Sequence, residues 1–199
     1  MIRLLFTCLL MCCFIQITAS QTTFGVKAGA NLATLNQGDQ FDYKFGANFG
    51  AVANIPIGID FSLQPELLYS AQGYRRNFDN GVREVGKIDY FILPVLVDFH
   101  IGDGFSLQGG PQLGVNIRNE REVEGGIGEN TSLFVNDLDF AAAVGLQYFI
   151  DQSFFVQGRY TFGLSEVVRN IGQRNGVLSL SLGFFFGPTN AALAKDIEE

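Results

Sequence analysis

The chain has 199 residues, enough for one domain of ordinary size, with 13 Lys and Arg against 20 Asp and Glu. That acidic balance excludes a nucleic-acid partner, whose phosphates need a basic surface. Hydrophobic residues make up 47% of the sequence, yet no apolar run reaches the roughly 18 residues of a membrane-spanning helix, which excludes a helical membrane protein.

Residues 1–20 read as a secretory signal peptide: Arg3 gives a positive start, Leu4 to Ile17 an apolar run, and Thr18-Ala19-Ser20 a small-residue cleavage point before Gln21. A lipoprotein signal is not expected, since Met11 precedes Cys12 where a small residue is wanted. Cys8, Cys12 and Cys13 all fall inside this segment, so the expected mature chain has no disulfide to rely on. Loss of Arg3 leaves twelve basic against twenty acidic side chains, a formal charge of −8.

From Phe24 onward the pattern has a period of two, the signature of strands with one apolar face. The first strand, Phe24 to Ala33, sets Phe24, Val26, Ala28, Ala30 and Leu32 against Gly25, Lys27, Gly29 and Asn31. The second, Tyr43 to Ile55, opposes Tyr43, Phe45 and Phe49 to Lys44, Gly46, Asn48 and Gly50, and ends in a short turn at Ile55-Pro56-Ile57-Gly58. The third, Ile59 to Ala71, opposes Phe61, Leu63, Pro65, Leu67 and Tyr69 to Asp60, Ser62, Gln64 and Glu66. Asp79-Asn80-Gly81, a tight-turn signal, then predicts that the hairpin continues past the membrane. The fourth strand, Lys87 to Phe99, is apolar on both faces, and its Pro94, like Pro65 and Pro111, marks a bulge or ladder break.

The fifth strand is Phe105 to Ile117, the sixth Asp137 to Ile150, the seventh begins at Phe154, and the eighth is Val177 to Phe186. In the last, Leu178, Leu180, Leu182, Phe184 and Phe186 alternate with the small or polar Ser179, Ser181 and Gly183. Strands of about ten residues suffice to cross a bilayer when tilted. The opposite faces carry Gly, Ser, Gln and Asn with few charges, which suits the cramped inside of a narrow barrel better than a wet exterior. The expectation is therefore all-β: an eight-stranded antiparallel up-and-down transmembrane β-barrel over residues 21–186, with the apolar face in lipid and 187–199 as a tail. A soluble lipocalin-like carrier is the inverse arrangement. Long links at 34–42, 72–86, 118–136 and 165–175 alternate with short turns, which predicts external loops and places both mature termini, and the tail, in the periplasm.

Inward charges are expected at Lys27, Lys44, Asp60, Glu66, Asp98, Asp139 and Arg159, and buried charges persist only when paired. They are read as an internal salt-bridge plug with Lys27, Glu66 and Arg159 near its centre; the rival is a narrow channel or ion path along the same residues. His100, near Asp98, lacks a nominated nucleophile or substrate pocket, so no catalytic residue and no cofactor is expected. Scattered carboxylates and one histidine give no metal site; Glu120, Glu122, Glu124 and Glu129 are read as a solvated loop rather than a calcium site. Tyr43, Tyr69, Phe105, Tyr148 and Phe186 fall where interface girdles belong. The protein is expected to be a monomer in outer-membrane lipid, with the loops available to a protein partner.

The segments Gly25-Val-Lys-Ala-Gly-Ala-Asn31, Leu63-Gln-Pro-Glu-Leu-Leu-Tyr-Ser70, Tyr90-Phe-Ile-Leu-Pro-Val-Leu96, Gly109-Gly-Pro-Gln-Leu-Gly114 and Arg159-Tyr-Thr-Phe-Gly-Leu164 together resemble the PorT-like outer-membrane β-barrel family. The resemblance spans Phe24 to Phe186 and implies an outer-membrane barrel of a Gram-negative bacterium, with a role in protein export for some members. It also implies that Phe184 and Phe186 form the signal read by the barrel-insertion machinery. The chain departs from the family in the thirteen residues that follow Phe186 and in Asp98, where a basic residue is often found.

Overall fold

The computed structural model describes residues 22–36, 41–78, 82–124, 131–132, 135–167, 172–187 and 189. The expected signal segment and all of the tail except Gly187 and Thr189 lie outside the described residues. Eight long strands form one antiparallel sheet: β1 Thr23–Asn36, β2 Lys44–Pro56, β3 Phe61–Asn77, β4 Arg83–Gly102, β5 Phe105–Glu124, β6 Leu138–Phe149, β7 Phe154–Gly163 and β8 Arg174–Phe185. Each pairs with its sequence neighbours, and β1 pairs with β8 from Gly25↔Phe185 to Asn36↔Arg174. The ring is closed, so no long strand is left as an edge.

The faces follow the period of two. Phe24, Phe45, Phe49, Leu67, Phe91, Leu146, Leu180, Leu182 and Phe186 are exposed on the outside, while Lys27, Glu66, Gln108, Gln157 and Arg159 are buried inside. A soluble carrier would show the reverse, and that reading is set aside. Outer aromatics pair across strands, as in Phe105–Tyr148 with centroids 4.5 Å apart and Phe49–Tyr69 at 5.2 Å.

Two boundary expectations need correction. Among the described residues the links 72–86 and 118–136 are largely strand: β3 runs to Asn77, β4 starts at Arg83 and β5 continues to Glu124. Paired charges replace apolar residues there, so the alternation persists without the greasy face that marks it in the membrane. Short strands Phe41–Asp42 and Thr131–Ser132 pair with the outer edges of this extension, on β3 and β5. The prolines leave gaps in the ladder beside Pro65, Pro94 and Pro111 without shifting the register; the register shifts lie instead at Asp89/Tyr90 and His100/Gly102.

Two glycines make room for rings inside the barrel. A Cβ at Gly183 would lie 2.0 Å from the Phe155 ring, and one at Gly86 would lie 2.3 Å from the Tyr74 ring. Each ring lies across its glycine partner on the neighbouring strand, covering backbone that a side chain would otherwise shield.

Candidate functional site in the barrel lumen

The lumen is filled in layers. We call the end with Thr23 and Phe185 the near end. There Phe149, Phe155 and Phe185 pack with Val52, all nearly fully buried, with ring centroids 5.0 Å apart for Phe155–Phe185 and 6.0 Å for Phe149–Phe155. The three rings come from the last residues of β6 and β8 and the start of β7, where hairpin geometry brings them to one level.

A layer of glutamines follows. Gln157 donates to Gln108 (2.6 Å) and Gln147 (3.2 Å), Gln108 donates to Gln147 (3.1 Å), and Gln64 donates to Glu66 (2.9 Å). Glu66 sits at the centre of the ionic layer. Arg159 grips it bidentately at 2.6 and 2.8 Å, and Lys27 reaches it at 2.9 Å while donating to Gln157 at 2.5 Å. Planar guanidinium against planar carboxylate is the strong form of such a pair.

Towards the far end, Asn48 donates to Asn31, Asn31 to Ser70, and Ser181 to Asn48. Beyond them the lumen turns apolar again with Leu35, Leu68, Tyr74, Ile88, Tyr90, Ile92, Val135 and Val167. This cluster explains why β4 is apolar on both faces: Phe91 and Leu93 face outwards while Tyr90 and Ile92 help to close the lumen.

The seven expected interior charges thus divide. Lys27, Glu66 and Arg159 meet as one triad. Lys44 lies apart and donates to the Gln72 carbonyl at 2.8 Å. Asp139 accepts from Ser165 (2.6 Å) and Asn175 (3.0 Å) rather than from a cation. Asp98 is fully buried, with His100 Nε2 at 3.7 Å. Asp60 is a correction: it is exposed in the turn before β3, because that strand begins one residue later, at Phe61. A single network of seven is replaced by one ionic triad and separate polar groups.

Ser62 Oγ lies 3.0 Å from His100 Nε2, the nitrogen that also faces Asp98, while Nδ1 has no partner. A hydrolytic triad needs the carboxylate and the hydroxyl on opposite nitrogens, so this arrangement does not activate Ser62. Phe184 and Phe186 both point outwards, Phe184 against Phe154 at 4.7 Å.

Sequence reasoning left Phe149, Phe155 and Phe185 without a role. Their signal is doubled aromatics at the near end, Tyr148-Phe149, Phe154-Phe155 and Phe184-Phe185, where one ring faces lipid and its neighbour must face the lumen. It also missed the charged sheet at the far end. There Arg121 pairs with Glu84 at 2.8 Å, Arg118 with Glu120 at 2.5 Å, and Lys87 with Glu122. Among the described residues no cluster of His, Cys, Asp and Glu could hold a metal ion. Glu120 and Glu122 are occupied by cations, and Glu129 lies outside the described residues.

Solved barrels share this architecture. Ail, the attachment invasion locus protein of Yersinia pestis, in complex with the heparin analogue sucrose octasulfate, is 17% identical; the match covers 83% of this chain and 99% of that one with a TM-score of 0.51. Neisserial surface protein A is 18% identical over 81% of this chain and 96% of that one, with a TM-score of 0.54. At these identities the likeness shows the fold. No curated protein sequence matches significantly. The family model described as outer membrane protein beta-barrel domain matches residues 16–169. With that match, the closed ring and the lipid-facing band, the chain belongs to the outer membrane protein beta-barrel domain family.

Proposed function

We propose that this is a sealed outer-membrane barrel whose work is to hold a charged sheet, the outer ends of β3, β4 and β5, against a protein partner outside the cell. The observation that carries this reading is the combination of a lumen closed by an apolar layer at each end with strands that outrun their apolar band. The near end is then periplasmic and the far end extracellular, in keeping with short turns at one and long connections at the other. The filled lumen argues against the narrow-channel reading, since a conducting path would have to displace both the aromatic layer and the apolar far-end cluster.

The extension presents Arg75, Lys87 and Arg118 among Glu120 and Glu122. Mixed signs of this kind suit a protein surface of complementary pattern, where rim charges set encounter and register. The Ail structure holds a sulfated sugar analogue; the alternating charges here make a polyanion the less favoured partner. A place in protein export, implied by the PorT-like resemblance, would make that partner a component of an export assembly.

The test is a double charge reversal, Arg75→Glu with Lys87→Glu, in cells. The barrel should still insert, crosslinks from a photo-reactive residue at Val85 should disappear, and purified protein in planar bilayers should show no single-channel steps. Unchanged crosslinking, or stepwise conductance from the unaltered barrel, would overturn the reading. Unchanged secreted protein in a strain lacking the gene would remove the export link alone.

A further inference from the structure

The ionic layer has an uneven charge count. Lys27 as an ammonium and Arg159 as a guanidinium share one carboxylate, Glu66, and among the described residues neither makes another ion pair. The triad therefore carries one net positive charge in a lumen closed at both ends. Asp98 makes no hydrogen bond or ion pair with either cation, and His100 Nε2 lies 3.7 Å from it. An uncompensated buried charge is costly, so Lys27 either gives up its proton or meets a counter-charge.

The groups for one are in place. A cavity of about 20 Å³ adjoins the triad and is lined by Lys27 and Arg159 together with Asn48, Thr161 and Ser179. Its volume exceeds the ~10–15 Å³ that a single water needs, so it has room for a water or a small ion. Arg159 Nε is buried and donates to nothing. Lys27 has three N–H donors and uses one on Glu66 and one on Gln157, leaving a third. Gln112 lines the same cavity with an unpartnered amide oxygen; a half-turn of that amide adds N–H donors.

We infer that this cavity is a binding site for a single monatomic anion of halide type, chloride in the cell, held between Lys27 and Arg159. Water in the same place would satisfy the free donors but leave the charge. A cation would be repelled. The apolar layers above and below slow exchange, so the ion enters as the barrel folds.

The test is to refold the full mature chain in detergent in sodium bromide or in sodium gluconate at equal ionic strength, then measure unfolding and collect anomalous diffraction at the bromine edge. An anomalous peak is expected in the cavity beside Lys27 and Arg159. The unfolding constant should fall about tenfold for each tenfold rise in bromide above its dissociation constant, with no such dependence on gluconate. In Lys27→Met, which leaves a balanced Arg159–Glu66 pair, the bromide dependence should vanish. Water alone in the cavity, anomalous peaks at the surface alone, or identical unfolding in the two salts would overturn the inference and assign Lys27 a neutral amine. The wild-type measurements stand even if the variant fails to fold.

Discussion

Replacing Glu66 with Gln is the sharpest perturbation of the lumen. The side chain keeps its shape, so packing is conserved while the charge and one acceptor oxygen are lost. Glu66 is fully buried and accepts three contacts from two cations, at 2.6, 2.8 and 2.9 Å. Removing one partner of a buried ionic cluster leaves the others uncompensated and costs about 3–5 kcal/mol. With a urea dependence of about 2 kcal/mol per molar for a protein of this size, the unfolding midpoint should drop by roughly 2 M. The assay is urea titration of the refolded barrel in detergent, read by the fraction that keeps folded mobility on an unheated gel. Lys27→Met is the control, because it keeps the bidentate Arg159–Glu66 pair and should cost much less. A Glu66→Gln shift below about 0.5 M, or one no larger than that of Lys27→Met, would refute the claim that the triad holds the lumen together.

Three further outcomes follow from the layers. Phe155→Ala removes a fully buried ring from the near-end seal and should cost about 3–5 kcal/mol, seen as a lower urea midpoint. Gly183→Val puts a side chain where the Phe155 ring lies, with a Cβ 2.0 Å from it, and should lower the folded yield more than Gly58→Val, where a Cβ meets open space. Burial and then the hydrogen bond to Glu84 raise the Tyr74 hydroxyl above its ordinary pKa of 10.0. The folded state therefore holds that proton more tightly than the unfolded one, and stability falls as pH rises through 10 and beyond. Tyr74→Phe should lessen this alkaline loss, measured as the difference in urea midpoint between pH 8 and pH 11, and should lose about 1 kcal/mol at neutral pH.

How far the sequence carries differs from element to element. The eight strands and their lipid faces are legible because one physical fact, apolar every second residue, is repeated in each. Their outer ends are not, because Arg75, Glu84, Lys87 and Glu122 alternate in sign rather than in hydropathy and read as loop. Asp60 fails in the opposite way: the alternation of β3 extrapolates one residue past the point where the chain turns. Lys27, Glu66 and Arg159 are legible as inward charges that need each other. That Asp98 and Asp139 stand apart from them depends on strand stagger around the ring, which hairpin-by-hairpin reading does not fix. The near-end seal hides in doubled aromatics, since Phe155 or Phe185 beside a lipid-facing ring interrupts the alternation instead of extending it.

Which face meets lipid decides both the fold and the sealed lumen, and the sequence offers a clean probe because it contains no tryptophan. Single tryptophans placed at Leu180, on the outside, and at Phe155, inside, would be refolded into bilayers containing phospholipids brominated on their acyl chains. Strong quenching is expected at position 180 and little at 155. Equal quenching at both, or quenching at 155 alone, would contradict that orientation.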